Sequence, residues 1–289
     1  TMELFLQYVI NGIIVGSTYA LVAVGFALTF SVLRVINLAH PDMFMVAMFV
    51  GLLVINLVSR NFIVVLMVAA LAVGILSLGI ERGVLRPLQT ANAFMPMIAT
   101  AGLSIALQNG MQAIVGPDQL QFPRILPMSP IHVGAITVTS LQLITFGIAV
   151  AVMLGASYFV RRTKWGLTAR AVAERRDIAA TFGVDTNRVT QLTVGLSSIL
   201  AGIAGIGIAV LYGSASAFVG LLYGLKSFVC MLVAGNRHIE AVMLVALMLG
   251  VLEALTAAYL SSSYRDAVAF TILIVVLFFR PKGLFGSYS

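Results

Sequence analysis

The sequence predicts an all-α, polytopic integral membrane protein with about eight to ten transmembrane helices. Hydrophobic residues make up 61% of its 289 positions and charged residues only 9%, whereas a soluble domain carries about 25% charged residues. Apolar runs long enough to cross a bilayer recur along the chain. The basic residues between those runs alternate from dense to sparse. The strict apolar-polar alternation of barrel strands is absent.

The runs fall at residues 8–30, 42–58, 62–80, 94–115, 135–160, 189–212, 217–235, 239–260 and 266–280. The first has no basic segment before it and is too long for a signal-peptide core, so it reads as a retained span. Alternate threading collects 31–41, 81–93, 161–188, 236–240 and 280–289 on one side. Those segments hold thirteen of the seventeen Lys and Arg, against Arg60, Arg124 and Arg265 opposite, with Lys226 left inside a run. This is a positive-inside pattern, which places the C-terminus in the cytoplasm and the N-terminus outside. The isoelectric point near 9.9 follows from these flanking charges and does not point to nucleic acid. Cys230 is the only cysteine, so an intrachain disulfide and a cysteine metal cluster are both excluded. Residues 1–289 read as one transmembrane domain.

Each break between runs carries its own signal. In the first, Asn37, His40, Pro41 and Asp42 interrupt the apolar sequence. Pro41 disfavours helix at His40. Two readings stand: a cytoplasmic turn with Asp42 as N-cap of the next helix, or a broken helix bordering a transport route. One His and one Asp are too few for a metal site. The external segment 116–134 holds four prolines and is expected to be an irregular loop, a surface for an external partner. Gly195, Gly202, Gly205, Gly207 and Gly213 either let helices approach closely or line a narrow pathway. Lys226 and Glu253 are charges within spans; such groups face a bundle interior, as a structural ion pair or as part of a pathway. Gly220-Leu-Leu-Tyr-Gly224-Leu-Lys226-Ser227 is one residue out of register for a phosphate loop and lies in a membrane run, so ATP binding by this chain is rejected.

The segment 161–188 is the longest departure from apolar sequence, with seven Lys and Arg and three acids. Leu167, Ala171, Ile178 and Phe182 follow steps of four, seven and four, which predicts one helical face. Arg170, Arg175, Arg176 and Asp177 occupy the remainder, Gly183 is a helix stop, and Asp185 or Thr186 is placed to cap the next span. The helix either lies on anionic headgroups or inserts into a groove on a soluble subunit.

Taken in order, these residues resemble the permease subunits of bacterial ABC importers for branched-chain amino acids, the LivH type. The likeness runs from Asn11-Gly12, Gly16, Tyr19-Ala20-Leu21 and Gly25 through Asn37-Leu-Ala39-His40 and Arg86-Pro87-Leu88. It continues through IATAGLSIALQN at Ile98 to Asn109 and Gly116-Pro117-Asp118. The pattern Gly166, Arg170, Ala171, Ala173, Glu174 follows, then Ala179, Gly183 and Asn187-Arg188-Val189, and it closes with EALTAAYLSSSYRDAVAF and Arg280-Pro281-Lys-Gly283-Leu284-Phe285-Gly286. Two positions depart from the family. Pro41 stands where Gly is usual, and Gly235 to Ala241 lacks the usual Gly-rich turn, which removes backbone freedom there.

The resemblance implies an ABC importer permease fold in the bacterial inner membrane. Its implied partners are a second permease, two cytoplasmic ATPases that carry ATP and Mg, and a periplasmic substrate-binding protein, with membrane lipid around them. No cofactor, metal or catalytic residue is expected in this chain. Coupling to the ATPases is expected at Gly166, Leu167, Arg170, Ala171, Glu174, Arg175, Arg176, Ile178, Phe182 and Gly183. A pathway is expected near Asn37, His40, Asp42, Lys226 and Glu253. Urea, short-chain amides or aromatic acids are alternative substrates, since sister systems carry them. A stand-alone secondary transporter is disfavoured by the scarcity of buried acid or His relays. An intramembrane enzyme is disfavoured because Gly102-Leu-Ser104 lacks the second Gly of a nucleophile elbow and no His-Glu-x-x-His motif occurs.

Overall fold

The computed structural model describes residues 2–88, 92, 94–133, 136–235, 239–281 and 283–285. The first apolar run forms α1 (Met2–Leu33). Every residue from Gly16 to Thr29 is buried, so this stretch, apolar all round, has neighbours on every side and is the hub of the bundle. The chain then folds back, and α2 (His40–Leu57) starts inside the protein. His40 Nε2 lies against Gly25, which at 1.5 Å per residue is about 12 Å short of Leu33. Pro41 occupies the first turn of α2, where its missing N–H costs nothing. The helix N-cap is Ala39, without a side-chain cap bond. This corrects the expectation that Asp42 caps a cytoplasmic turn: Asp42 is within the helix and fully buried.

α3 (Phe62–Ile80) is capped by Asn61, whose side chain accepts the Ile63 N–H at 2.9 Å. It runs on through a π-helical turn at Glu81–Leu85 and a 3₁₀ turn at Arg86–Leu88. α4 (Phe94–Val115) buries only Pro96, Thr100, Ser104 and Gln108, one edge laid against α2. The loop expected at 116–134 is partly regular. It contains β1 (Leu120–Gln121), and β2 (Pro130–Val133) pairs antiparallel with β3 (Ile136–Thr139). The predicted span at 135 therefore begins with a strand of alternating β-branched residues. The helix proper, α5 (Ser140–Arg162), starts at a capping box formed by Thr139 and Gln142.

The basic segment forms α6 (Lys164–Glu174) and α7 (Arg176–Thr181), which meet at an extended Arg175. α8 (Thr186–Tyr212) is capped by Asp185, which accepts the Arg188 N–H at 3.1 Å, and it ends at Gly213 in the left-handed region. β4 (Ser214–Ala215) pairs with β1. α9 (Val219–Ala234), α10 (Ile239–Tyr259), a 3₁₀ turn at Ser262–Tyr264 and α11 (Arg265–Phe279) complete the bundle. Every predicted run thus carries a helix. Among the described residues eight helical stretches are long and apolar enough to cross a membrane, and α9, with 16 residues, is shorter. Leu71, Ile75, Leu154, Ile274 and Phe278 project outward, as lipid contact requires.

Glycines set the closest approaches. On α8, a Cβ at Gly205 would lie 2.3 Å from Phe44 O, and one at Gly202 would meet Val73 and Ala70. Gly195 faces Leu78 and Gly207 faces Thr145. Gly202, Gly205 and Gly207 thus pack α8 against its neighbours, whereas Gly195 also lines a cavity at the basic end and Gly213, with nothing within 4 Å of a Cβ there, ends the helix.

Segments threaded to one side meet at one end of the bundle. Arg34 donates to Ala173 O, Arg161 pairs with Glu240, and Leu284 N–H donates to Val233 O at 2.7 Å. At the opposite end Gln7 exchanges two 2.9 Å hydrogen bonds with the backbone of Thr137, and Tyr8 meets Tyr259 edge-on. Of the Gly235 to Ala241 turn, residues 236–238 lie outside the described residues.

Candidate functional site

Two polar clusters lie inside the apolar bundle. The first surrounds the start of α2. Asn37 Oδ1 accepts the Ala39 N–H at 3.1 Å, which turns the chain into the helix. Asp42 Oδ1 accepts from Gln108 Nε2 at 2.9 Å, and the same amide reaches Ser104 Oγ at 3.1 Å. Thr100 Oγ1 accepts the Leu38 N–H at 3.1 Å. Thr100, Ser104 and Gln108 are spaced four apart, so they form one stripe along α4 facing the break. His40 meets Phe26 edge-on at 4.7 Å. His40 Nε2 and Asp42 Oδ2 have no hydrogen-bond partner among the described residues. Pro41 packs on Gly220 and Gly224 of α9: a Cβ at Gly224 would lie 2.2 Å from the proline ring. The unusual proline is thus seated on glycines of another helix.

The second cluster joins α1, α9, α10 and α11. Lys226 Nζ lies 3.0 Å from Glu253 Oε1, donates to Oε2 at 3.2 Å, and lies 2.8 Å from Asp266 Oδ1. Tyr19 OH donates to Glu253 Oε2 at 2.8 Å, with Nζ 5.6 Å from the Tyr19 ring centroid. The Tyr19, Tyr223 and Phe44 rings follow one another at 5.3 and 5.2 Å. They link this cluster to α2 two residues beyond Asp42. The structure therefore gathers Asn37, His40 and Asp42 in one place and Lys226 with Glu253 in another.

Sequence reasoning quoted Tyr19, Gln108 and Asp266 only within runs of family likeness and weighed Ser104 only as a nucleophile; it gave none of the four a place in a buried polar cluster. The spacing of Thr100, Ser104 and Gln108 in an apolar run was the available signal for two of them. Glu81 was also missed. It is fully buried, with Arg86, Arg82 and Arg176 as its electrostatic neighbours.

The basic segment departs from the expected single helix. Arg175 is extended (φ −145°, ψ 95°), so Leu167 and Ala171 on α6 do not continue onto the face of Ile178 and Phe182. Val172 and Ala179 anchor the two helices against Val32 and Val189. The two anchors lie seven residues apart and enter the same small apolar cluster, while the helix is interrupted between them at Arg175. Leu167, Ala171, Ile178 and Phe182 are all exposed, as are Arg170, Glu174 and Arg175. Arg176 donates to Asn187 Oδ1 at 3.0 Å. Gly183 adopts φ +81°, the left-handed stop its type favours.

Gly166 has a specific steric duty, because a Cβ there would lie 2.1 Å from Val160 O at the α5–α6 corner. Gly166→Val is expected to displace α6. In membrane vesicles open on the basic side, trypsin should then cut at Arg170 and Arg175 several-fold faster than in wild type. An unchanged cleavage rate would show that the corner does not depend on this glycine.

A bundle of membrane-length helices, broken within its interior around polar groups and carrying a basic helix pair at one end, defines a multi-pass membrane permease. The chain matches the family model described as branched-chain amino acid transport system / permease component over residues 8–277. It is 32% identical to the high-affinity branched-chain amino acid transport system permease protein BraD of Pseudomonas aeruginosa, across 98% of this chain and 96% of that protein. Identity and coverage are the same for LivH of Escherichia coli K12. Among solved structures, PsaBC from Streptococcus pneumoniae in complex with Fab has a TM-score of 0.50 and 15% identity, covering 96% of this chain and 92% of that one. An inward-facing metal-chelate type ABC transporter has a TM-score of 0.54 and 17% identity, covering 94% and 85%. The chain belongs to the family of branched-chain amino acid transport permease components.

Proposed function

We propose that this chain is the membrane-spanning permease subunit of an ATP-driven importer that takes up branched-chain amino acids across the bacterial inner membrane. In this reading residues 1–289 form one transmembrane domain with the C-terminus cytoplasmic. A second permease completes the pathway, a periplasmic binding protein delivers the substrate, and two cytoplasmic ATPases carry ATP and Mg. The chain itself holds no cofactor and catalyses no reaction. The substrate is taken from the names of the relatives.

The observation that carries the coupling role is the two-sided character of α6 and α7. Val172 and Ala179 fix them to the bundle, while Leu167, Ile178 and Phe182 point outward among arginines. Apolar side chains anchored to face water mark a protein contact. On α4, Asn109 is exposed on the same outer face as Gly102, Ala106 and Ala113. Its Nδ2 donates to Ile105 O at 2.8 Å, which leaves the amide oxygen of a residue within an apolar span to face protein or water rather than lipid, so the pathway and the second permease are assigned to this face. The buried clusters at Asp42 and Glu253 flank the broken start of α2, where two packings of the chain would open or close the route.

The test is ATP hydrolysis by the reconstituted importer. Leucine-loaded binding protein should stimulate it. The variant Arg175→Glu, at an exposed position, should assemble normally yet lose stimulation on the order of tenfold or more, because like-charge contacts at an interface cost several kcal/mol. Full stimulation in that variant would remove the coupling assignment. Stimulation by urea or an aromatic acid, but not by leucine, would reassign the substrate.

A further inference from the structure

A cavity of about 1000 Å³ opens beneath α6 at the basic end of the bundle. Its walls are apolar, formed by Leu28 of α1, Leu71 and Ile75 of α3, Val160 of α5, and Leu192 and Leu196 of α8. Its rim carries Arg34, Arg170, Glu174 and the only tryptophan, Trp165. Neither α4 nor α11 borders it, because α4 rests on α2 and α11 on α9 and α10. The cavity therefore lies away from the face assigned above to the second permease.

Dimensions and charge together identify the occupant. The lining on α8 runs from Val189 to Ile199, about 15 Å at 1.5 Å per residue. That is half of the roughly 30 Å hydrocarbon core, the depth of a single leaflet. Ile75 is 70% exposed and Leu71 50%, so the wall opens sideways toward the bilayer. At the rim, Arg34 Nε donates to Ala173 O at 3.1 Å, and Arg170 donates to Gly166 O and Arg161 O at 3.3 Å each. Both arginines are held in place by backbone carbonyls, and neither forms an ion pair among the described residues. Arg34 takes a left-handed backbone (φ +56°), an uncommon conformation for a non-glycine residue, which turns its side chain back over α6. Trp165 on this rim is 45% exposed, and indole rings favour the headgroup boundary.

We propose that this cavity binds an anionic phospholipid of the cytoplasmic leaflet, its acyl chains between α3, α5 and α8 and its phosphate at Arg34 and Arg170. The lipid fills the space between α6 and the transmembrane helices. The leaflet rests on the orientation proposed above; the binding does not depend on the transported substrate.

The experiment uses the intact importer, extracted in mild detergent and exchanged against equal amounts of phosphatidylglycerol and phosphatidylcholine, with retained lipid counted by native mass spectrometry. Wild type should retain phosphatidylglycerol over phosphatidylcholine by about fivefold, the preference given by one net basic charge once Glu174 is set against the two arginines. Arg34→Gln/Arg170→Gln should lose that preference with the same subunits co-eluting. Ser31→Phe, placed on the cavity wall, should carry one lipid fewer per chain. Equal retention of the two lipids by wild type, or an unchanged preference in the double variant, overturns the proposal. So does an unchanged lipid count in Ser31→Phe, and release of the ATPases with lipid unchanged would show that the cavity is a protein interface. Lipid is weighed without ATP turnover, so failure here is separable from failure of the transport reading.

Discussion

Lys226→Met should destabilise the assembled permease by about 3–5 kcal/mol, the loss typical when one partner of a buried ion pair is removed. Glu253→Gln should cost clearly less. The asymmetry follows from the geometry. Lys226 has two carboxylates, Glu253 at 3.0 Å and Asp266 at 2.8 Å, so it keeps a counter-charge when Glu253 is neutralised. Glu253 is 4% exposed and would keep only the Tyr19 hydroxyl, at 2.8 Å. An uncompensated carboxylate in a bundle interior is the more expensive remnant. Thermal unfolding of the purified complex measures both. Equal losses would mean that Asp266 does not hold Lys226 in the membrane. Replacing both partners by Met and Leu should recover most of the loss, since apolar replacement of a buried pair is often close to neutral.

Gly250→Val should be equally disruptive for a different reason. A Cβ at Gly250 would lie 2.3 Å from Gly12 O and 2.5 Å from Gly16 Cα. All the obstructing atoms are backbone, so no side chain can swing away, and α1 and α10 must separate. Overpacking of this kind costs about 1–3 kcal/mol and more where backbone cannot yield. Because α1 is the hub, the separation is transmitted to α8 and α9. Gly147→Ala on α5, where a Cβ meets nothing within 4 Å, should change stability by less than about 0.5 kcal/mol. The comparison is read as melting temperature and yield of assembled complex. A normal Gly250→Val protein would mean that the helices do not approach as described.

Much of the architecture was legible because bilayer physics is strict. A backbone in hydrocarbon must satisfy its own hydrogen bonds, so span-length apolar runs become helices, and each of the nine predicted runs carries one. The departures came where local pattern and packing compete. Residues 136–139 alternate as a strand does and join a hairpin, although their composition suits a span. In the basic segment, the i, i+4 spacing on either side of Arg175 suggested a continuous face. The extended backbone at Arg175 interrupts the helix although Val172 and Ala179, seven residues apart, both reach the same apolar cluster, and side-chain periodicity carries no information about that one backbone angle. Asp42 looked like a cap because Asp commonly is one; Gln108, 66 residues away, draws it into the bundle instead.

Composition, run length and charge asymmetry were enough to establish a many-span helical membrane protein with a basic segment on one side, because each is a sum over the chain that no particular contact can alter. The partner of each intramembrane polar group was beyond their reach. That Lys226 is shared by Glu253 and Asp266, that Tyr19 supports the pair, and that Pro41 is seated on Gly220 and Gly224 depend on which helix faces which. In a bilayer that choice rests on close packing and a few polar contacts between segments far apart in the chain, and it leaves no periodicity in the sequence.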